Sequence, residues 1–199
     1  MLNWDIENEQ LDKGYKLICG VDEAGKGPLA GPVTAAACIL PMGLYIPDLK
    51  DSKMLSAKKR ERIYDEIIKN AVAYAVDFAS VAEIDELNIL NATMLAMKRA
   101  VDKLSVKPDL ALIDGNISRG FDIDTITVIR GDTLSPSIAA ASVLAKVTRD
   151  KMCADLDKLY PEYKLRRHKG YGTKLHMELI RKYGASPIHR KSFLGFLSR

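Results

Sequence analysis

Three short apolar runs, Leu17–Val21, Leu110–Ile113 and Thr125–Ile129, each give way to acid. Asp22 and Glu23 follow the first, Asp114 the second, and Asp132 closes the Arg130-Gly131-Asp132 turn after the third. Such runs are too short for helices and suit buried strands. Their repetition constrains the fold, because neighbouring strand ends bring residues far apart in sequence to one edge of a sheet. Four carboxylates gathered there repel one another unless cations intervene. Their hard oxygens suit Mg²⁺ or Mn²⁺, and a set able to hold two ions ~4 Å apart is a device for cutting phosphodiesters.

Directly behind the first acids comes Gly25-Lys26-Gly27. With Asp22 and Glu23 at a strand end, their side chains diverge towards opposite faces. The glycine-flanked turn has little bulk, so its backbone N–H groups can approach a phosphate or sugar closely. Gly20 to Lys26 also fits the first seven positions of the nucleotide-binding P-loop pattern. That reading fails because Gly27 stands where the loop needs a Ser or Thr hydroxyl. Two carboxylates inside the loop would also repel the phosphates it should cradle.

The remaining elements follow from local signals. Val33–Leu40 reads as a second strand and Ala73–Val81 as a third. Ser56 caps a helix running to about Asn70, with Ile63, Ile67 and Ile68 on its inner face. Leu87, Leu90, Met94, Met97, Val101 and Leu104 recur at helical spacing, so one helix is expected across them, its methionines in the core. Ser135 or Ser137 opens a long helix beginning with the small residues Ile138-Ala-Ala-Ala-Ser142 and ending before Pro161. A last helix covers roughly Lys174 to Tyr183 and stops at Gly184. Strand–helix–strand units of this kind make the chain α/β.

Length and composition suit one domain with a proper core. The expected division is a catalytic core over about 15–160 and a basic helical C-terminal region over about 161–199. No apolar run approaches the ~20 residues needed to span a bilayer, and the start lacks a signal-peptide pattern. Cys19, Cys38 and Cys153 read as reduced core thiols of a cytoplasmic protein, and His168, His176 and His189 form no zinc pattern with them. The net charge is only +4, yet from Lys164 onward ten basic residues face the single acid Glu178. That asymmetry is the electrostatic footprint expected for nucleic acid.

Six blocks together resemble the ribonuclease HII (type 2 ribonuclease H) family. They are Gly20-Val-Asp-Glu-Ala-Gly-Lys-Gly-Pro28, Leu49-Lys-Asp-Ser-Lys-Met-Leu-Ser56, Ile113-Asp-Gly-Asn116, Gly131 to Asp150, His168-Lys-Gly-Tyr-Gly-Thr173 and His189-Arg-Lys-Ser-Phe193. The resemblance implies a ribonuclease H-like fold: a five-stranded mixed sheet flanked by helices, with a helical C-terminal region. It implies endonucleolytic cutting of RNA in RNA/DNA hybrids and nicking 5′ of single ribonucleotides in duplex DNA, leaving 3′-hydroxyl and 5′-phosphate ends.

Carried over by position, Asp22, Glu23, Asp114 and Asp132 become the catalytic, metal-binding carboxylates. Gly25, Lys26 and Gly27 become the loop that senses the ribose 2′-hydroxyl, and Tyr171 the aromatic that packs on the sugar beyond it. Lys53, Asn116, Ser137, Lys146 and Lys169 join them as expected substrate contacts. The family usually has Arg at the centre of the glycine loop, where this chain has Lys26. A lysine there gives a point charge without the guanidinium's fork, a small change if the loop reads its substrate through the backbone. Asp51, Ser142, Arg149 and Asp150 read as structural hydrogen-bonding groups rather than catalysts, and for Arg190 and Ser192 the same choice stays open. The expected partners are nucleic-acid duplexes, with no membrane, a monomeric chain, and Phe193, Phe196 and Leu197 packed at home rather than docked on a partner. Two other readings stay open: a different ribonuclease H-like nuclease such as a DNA resolvase, and a silent hybrid-binding module. Cutting of an all-DNA junction would favour the first, and inertness despite four acids the second.

Overall fold

A computed structural model describes residues 2–49 and 56–198. Lys53 and Asp51, named above, lie outside the described residues, as does most of the Leu49–Ser56 block.

The chain runs α1 (Asp5–Asp12), β1 (Ile18–Ala24), β2 (Val33–Ile39), α2 (Ala57–Asn70), β3 (Ala73–Ala79), α3 (Val81–Leu87) and α4 (Ile89–Asp102). It continues with β4 (Leu110–Asp114), β5 (Asp124–Val128), α5 (Pro136–Leu159), α6 (Leu165–His168) and α7 (Lys174–Tyr183). The five strands form one mixed sheet in the order β3-β2-β1-β4-β5. β1 pairs antiparallel with β2 and parallel with β4, and β4 pairs parallel with β5. The carboxyl ends of β1, β4 and β5 therefore share one edge, which is where an open α/β sheet offers its ligand site.

Alternation along β1 divides the core. Cys19 and Val21 pack with Ala35, Ala37, Ala111 and Ile113 against Met94, Met97 and Val101 of α4. On the other face Ile18 and Leu112 meet Ile138, and Ala36 and Cys38 meet α5 and the Ile63 and Ile67 side chains of α2. α5 comes so close that a Cβ built on Gly20 would lie 2.1 Å from the Ser137 carbonyl carbon. Glycine in the strand and small residues in the helix are both needed for that approach. The three cysteines are free and buried, and burial pushes the Cys19 and Cys38 thiols up.

Four departures from the sequence expectation matter most. β1 runs through Asp22 and Glu23 to Ala24 instead of ending before them. β3 stops at Ala79 because Ser80 starts α3 with a reciprocal capping box: Glu83 N–H donates to Ser80 Oγ, and Ser80 N–H to Glu83 Oε2 at 2.8 Å. The helix expected across Leu87–Leu104 is two helices, broken at Asn88, which has φ 66° and whose Oδ1 accepts from Leu90 and Asn91 N–H. α1 has no counterpart in the sequence expectation; it packs Ile6 and Leu11 against the cluster of Ile18, Leu110, Leu112 and Ile138 and fully buries Glu7, whose Oε1 accepts from Ser135 Oγ at 2.6 Å. Among the described residues no helix is long and apolar enough to cross a membrane.

Candidate active site

Asp22 has the same strand parity as Ile18 and Gly20, so it faces α5; Asp114 shares that face through Leu110 and Leu112. Val21 pairs with Ile113, which puts Asp22 and Asp114 at adjacent strand ends. Asp22 is buried, and its Oδ1 accepts from the Glu23 N–H at 2.7 Å. Asp114 is half-buried, and its Oδ1 accepts from the Gly131 N–H at 2.7 Å. That bond brings the 3₁₀ turn Gly131–Thr133, and with it Asp132, to the end of β4. Glu23 has the opposite parity, and its Oε1 lies 2.8 Å from Lys26 Nζ.

Beside this edge lies a cleft of about 340 Å³. Glu23, the Gly25-Lys26-Gly27 turn, Lys146 and Tyr171 line it, together with Arg60 and the buried Arg149. Gly25 adopts φ 101°, and an added Cβ would meet Arg149 Nε at 2.0 Å, so any other residue there would strain the backbone and displace Arg149. Gly27 faces Tyr171: a Cβ built there would stand 3.6 Å from the ring's Cε1. Tyr171 is 46% exposed while its backbone is pinned. Its N–H donates to the His168 carbonyl, and its carbonyl lies 3.0 Å from His176 Nδ1. The segment is stitched to the glycine loop by the Leu29 N–H, which donates to the Gly170 carbonyl at 2.8 Å.

The substrate contacts expected from the sequence divide. Lys146 lines the cleft and is 2.6 Å from Asp150. Lys169 does not line it; its backbone carbonyl accepts from Arg149 Nη1 at 3.0 Å, with φ 52°. Asn116 is exposed just past the end of β4. Ser137 does not line the cleft: it is buried beneath Gly20, and its N–H donates to Glu7 Oε1. Arg190, counted above in the basic footprint, is fully buried and contributes nothing to the surface. Arg60 was missed. Its signal was periodicity: it shares the inner face of α2 with Ile63 and Ile67, at spacings of three and seven residues.

The donor chemistry at the sheet edge suits a hard divalent cation. Among the described residues, no three His, Cys, Asp or Glu form a ready cage. Mg²⁺-type sites do not require one, since one or two carboxylates suffice when water and substrate phosphate complete the shell. Asp22 and Asp114, adjacent and on one face, are the carboxylates placed to supply such a pair.

The chain is similar to proteins of one family. The ribonuclease HII family model matches residues 19–195. The ribonuclease HII of Caldicellulosiruptor bescii is 50% identical over 191 residues, spanning 96% of this chain and 93% of that protein. The ribonuclease HII of Burkholderia pseudomallei is 57% identical over 183 residues, spanning 92% of this chain and 86% of its own length. The crystal structure of the ribonuclease H2 from Pyrococcus horikoshii superposes with a TM-score of 0.73 at 27% identity, covering 89% of this chain and 93% of that one.

Proposed function

Since the chain belongs to the ribonuclease HII family and is thus an endonuclease acting on RNA/DNA, we propose that it also nicks duplex DNA 5′ of a single embedded ribonucleotide, leaving 3′-hydroxyl and 5′-phosphate ends. The observation that carries this reading is that Glu23 belongs both to the carboxylate edge and to the cleft holding the glycine loop and Tyr171. Phosphate chemistry and sugar reading thus meet at one residue.

In this reading Asp22 and Asp114 hold a divalent cation, Mg²⁺ or Mn²⁺, with Glu23 and Asp132 completing a two-ion set. When bound, such ions supply an activated water and neutralise the leaving oxygen. The 2′-hydroxyl is the group that marks a ribonucleotide within DNA. The Gly25-Lys26-Gly27 backbone reads it, and the open Tyr171 face supports the adjoining sugar. Lys26, Arg60 and Lys146 set the phosphate register without specifying sequence. The core over about 15–160 and the basic region over 161–199 act as one monomeric unit in the cytoplasm.

The test is a labelled duplex series, all-DNA, one ribonucleotide, or a long RNA tract, incubated with Mg²⁺, Mn²⁺ or EDTA. We expect metal-dependent cutting of the last two duplexes and none of the first. Cutting of the all-DNA duplex, or cutting that survives EDTA, contradicts the reading.

A further inference from the structure

Two arginines are sealed inside this protein, and among the described residues neither forms an ion pair with a carboxylate. Arg149 is 1% exposed and Arg190 0%. A buried guanidinium is costly unless its N–H groups find partners. Arg149 donates through Nε to the Pro32 carbonyl at 3.4 Å, through Nη2 to Ala30 at 3.3 Å and through Nη1 to Lys169 at 3.0 Å. Arg190 makes the tighter set. Its Nε donates to the Gly31 carbonyl at 2.9 Å, Nη1 to Lys26 at 2.9 Å and Nη2 to Gly25 at 2.7 Å. Burial, followed by the nearby Arg149 charge, draws the Arg190 guanidinium down to about 9, so it remains cationic at neutral pH.

The consequence lies in the peptide planes. No peptide bond among the described residues is cis, so the N–H of each residue points opposite to the carbonyl before it. With the Gly25 and Lys26 carbonyls held inward on Arg190, the N–H groups of Lys26 and Gly27 are directed away from it. Both residues line the cleft opposite Tyr171. The same short segment reaches the other wall. His189 Nε2 and His176 Nε2 share a hydrogen bond at 3.1 Å, and His176 Nδ1 meets the Tyr171 carbonyl. The Arg190 N–H itself donates to the Leu29 carbonyl at 2.9 Å. Behind it, Asp85 of α3 fixes the chain, accepting from Lys191 N–H, Ser192 N–H and Ser192 Oγ.

We infer that Arg190 is a positioning residue for sugar recognition: by clasping the carbonyls of Gly25, Lys26 and Gly31 it aims the Lys26 and Gly27 N–H groups into the cleft. This rests on the reading that the loop meets the ribose. Arg190 touches no reacting atom, and its effect passes through the loop. Lysine keeps the charge but cannot serve three carbonyls with a fixed fork.

The test compares wild type, Arg190→Lys and Asp85→Asn on a duplex with one ribonucleotide and on a long hybrid, with thermal unfolding followed in parallel. Wild type must first nick the single-ribonucleotide duplex; if it does not, the functional reading fails and not this inference alone. Misplacing a positioning group by about 1 Å costs on the order of 10²-fold. We expect Arg190→Lys to lose about that factor in kcat/KM on the single-ribonucleotide duplex, and several-fold less on the hybrid, which offers many registers. Asp85→Asn should shift the same ratio in the same direction by a smaller factor. An unchanged ratio in a folded Arg190→Lys protein, whether both activities fall together or neither falls, overturns the inference. Should Arg190→Lys not fold, Asp85→Asn decides: a shifted ratio supports the inference, and an unshifted one overturns it.

Discussion

The Gly131 N–H donates to Asp114 Oδ1 at 2.7 Å, tying the turn that carries Asp132 to the end of β4. Two acids separated by eighteen positions are thereby held at one sheet edge with Asp22, and the first prediction follows from their like charge. Like charges at close range oppose folding unless cations offset them. Asp22→Asn preserves an oxygen able to accept from the Glu23 N–H and removes one charge. It should leave the melting temperature unchanged or raised, and should still bind substrate. Cleavage should fall by more than the ~10–100-fold typical of changes behind a metal ligand. Melting curves and single-turnover rates in saturating metal check this; a markedly less stable variant, or near-normal turnover, would count against it.

Tyr171 presents a ring to the cleft while its backbone is fixed, so the ring should carry its effect. Tyr171→Phe should keep most activity, whereas Tyr171→Ala should lose on the order of 1–3 kcal/mol of stacking. The loss should weigh more on the single-ribonucleotide duplex, which offers one register only. Specificity constants for both variants on both substrates test this, and equal losses for Phe and Ala would assign the effect to the hydroxyl.

Arg166 and Arg167 are exposed, unlike Arg190. Removing the whole basic end would tear Arg190 from the loop, so point changes are the cleaner test. Arg166→Ala with Arg167→Ala should weaken binding similarly for all duplex sequences. The log–log salt slope should fall by about 0.7–0.9 for each phosphate that is no longer neutralised. Titrations at several salt concentrations measure it; an unchanged slope would move the footprint elsewhere.

The three histidines give a pH dependence. His168 and His176 stack with ring centroids 4.2 Å apart, and His176 bonds His189. Burial lowers all three, His176 to about 4. Unfolded imidazoles titrate near 6.5, so below that value the unfolded chain binds protons that the fold rejects. The stability contributed by neutral His176 is complete above about pH 6.5 and is lost progressively down to about pH 4. At about 1.4 kcal/mol per pKa unit the loss from His176 is on the order of 3 kcal/mol. Denaturant titrations of wild type and His176→Gln across this window should show a shallower decline in the variant; parallel curves would contradict the assignment.

What was legible in the sequence was local. Ser56 as a cap, the methionine face of α4, the small residues of α5 and the stop at Gly184 each depend on neighbours within a few positions. The carboxylate edge was legible because three runs repeated one pattern. The break at Asn88 was hidden because apolar spacing continues across it. Glu7 and Arg190 were hidden for a different reason: charge reads as surface, and their partners are remote. Glu7 is 128 positions from Ser135, and Arg190 is 165 from Gly25. Phe193 and Phe196 pack at home as expected, whereas Leu197 is 41% exposed.

The central claim is that carboxylate edge and sugar-reading cleft act together on one ribonucleotide. It is tested most directly by mapping the nick in a 5′-labelled duplex containing a single ribonucleotide. The account predicts one labelled fragment ending at the deoxynucleotide immediately 5′ of the ribonucleotide, with a 3′-hydroxyl that a polymerase extends. A fragment that retains the ribonucleotide at its 3′ end, or one that cannot be extended, would contradict it.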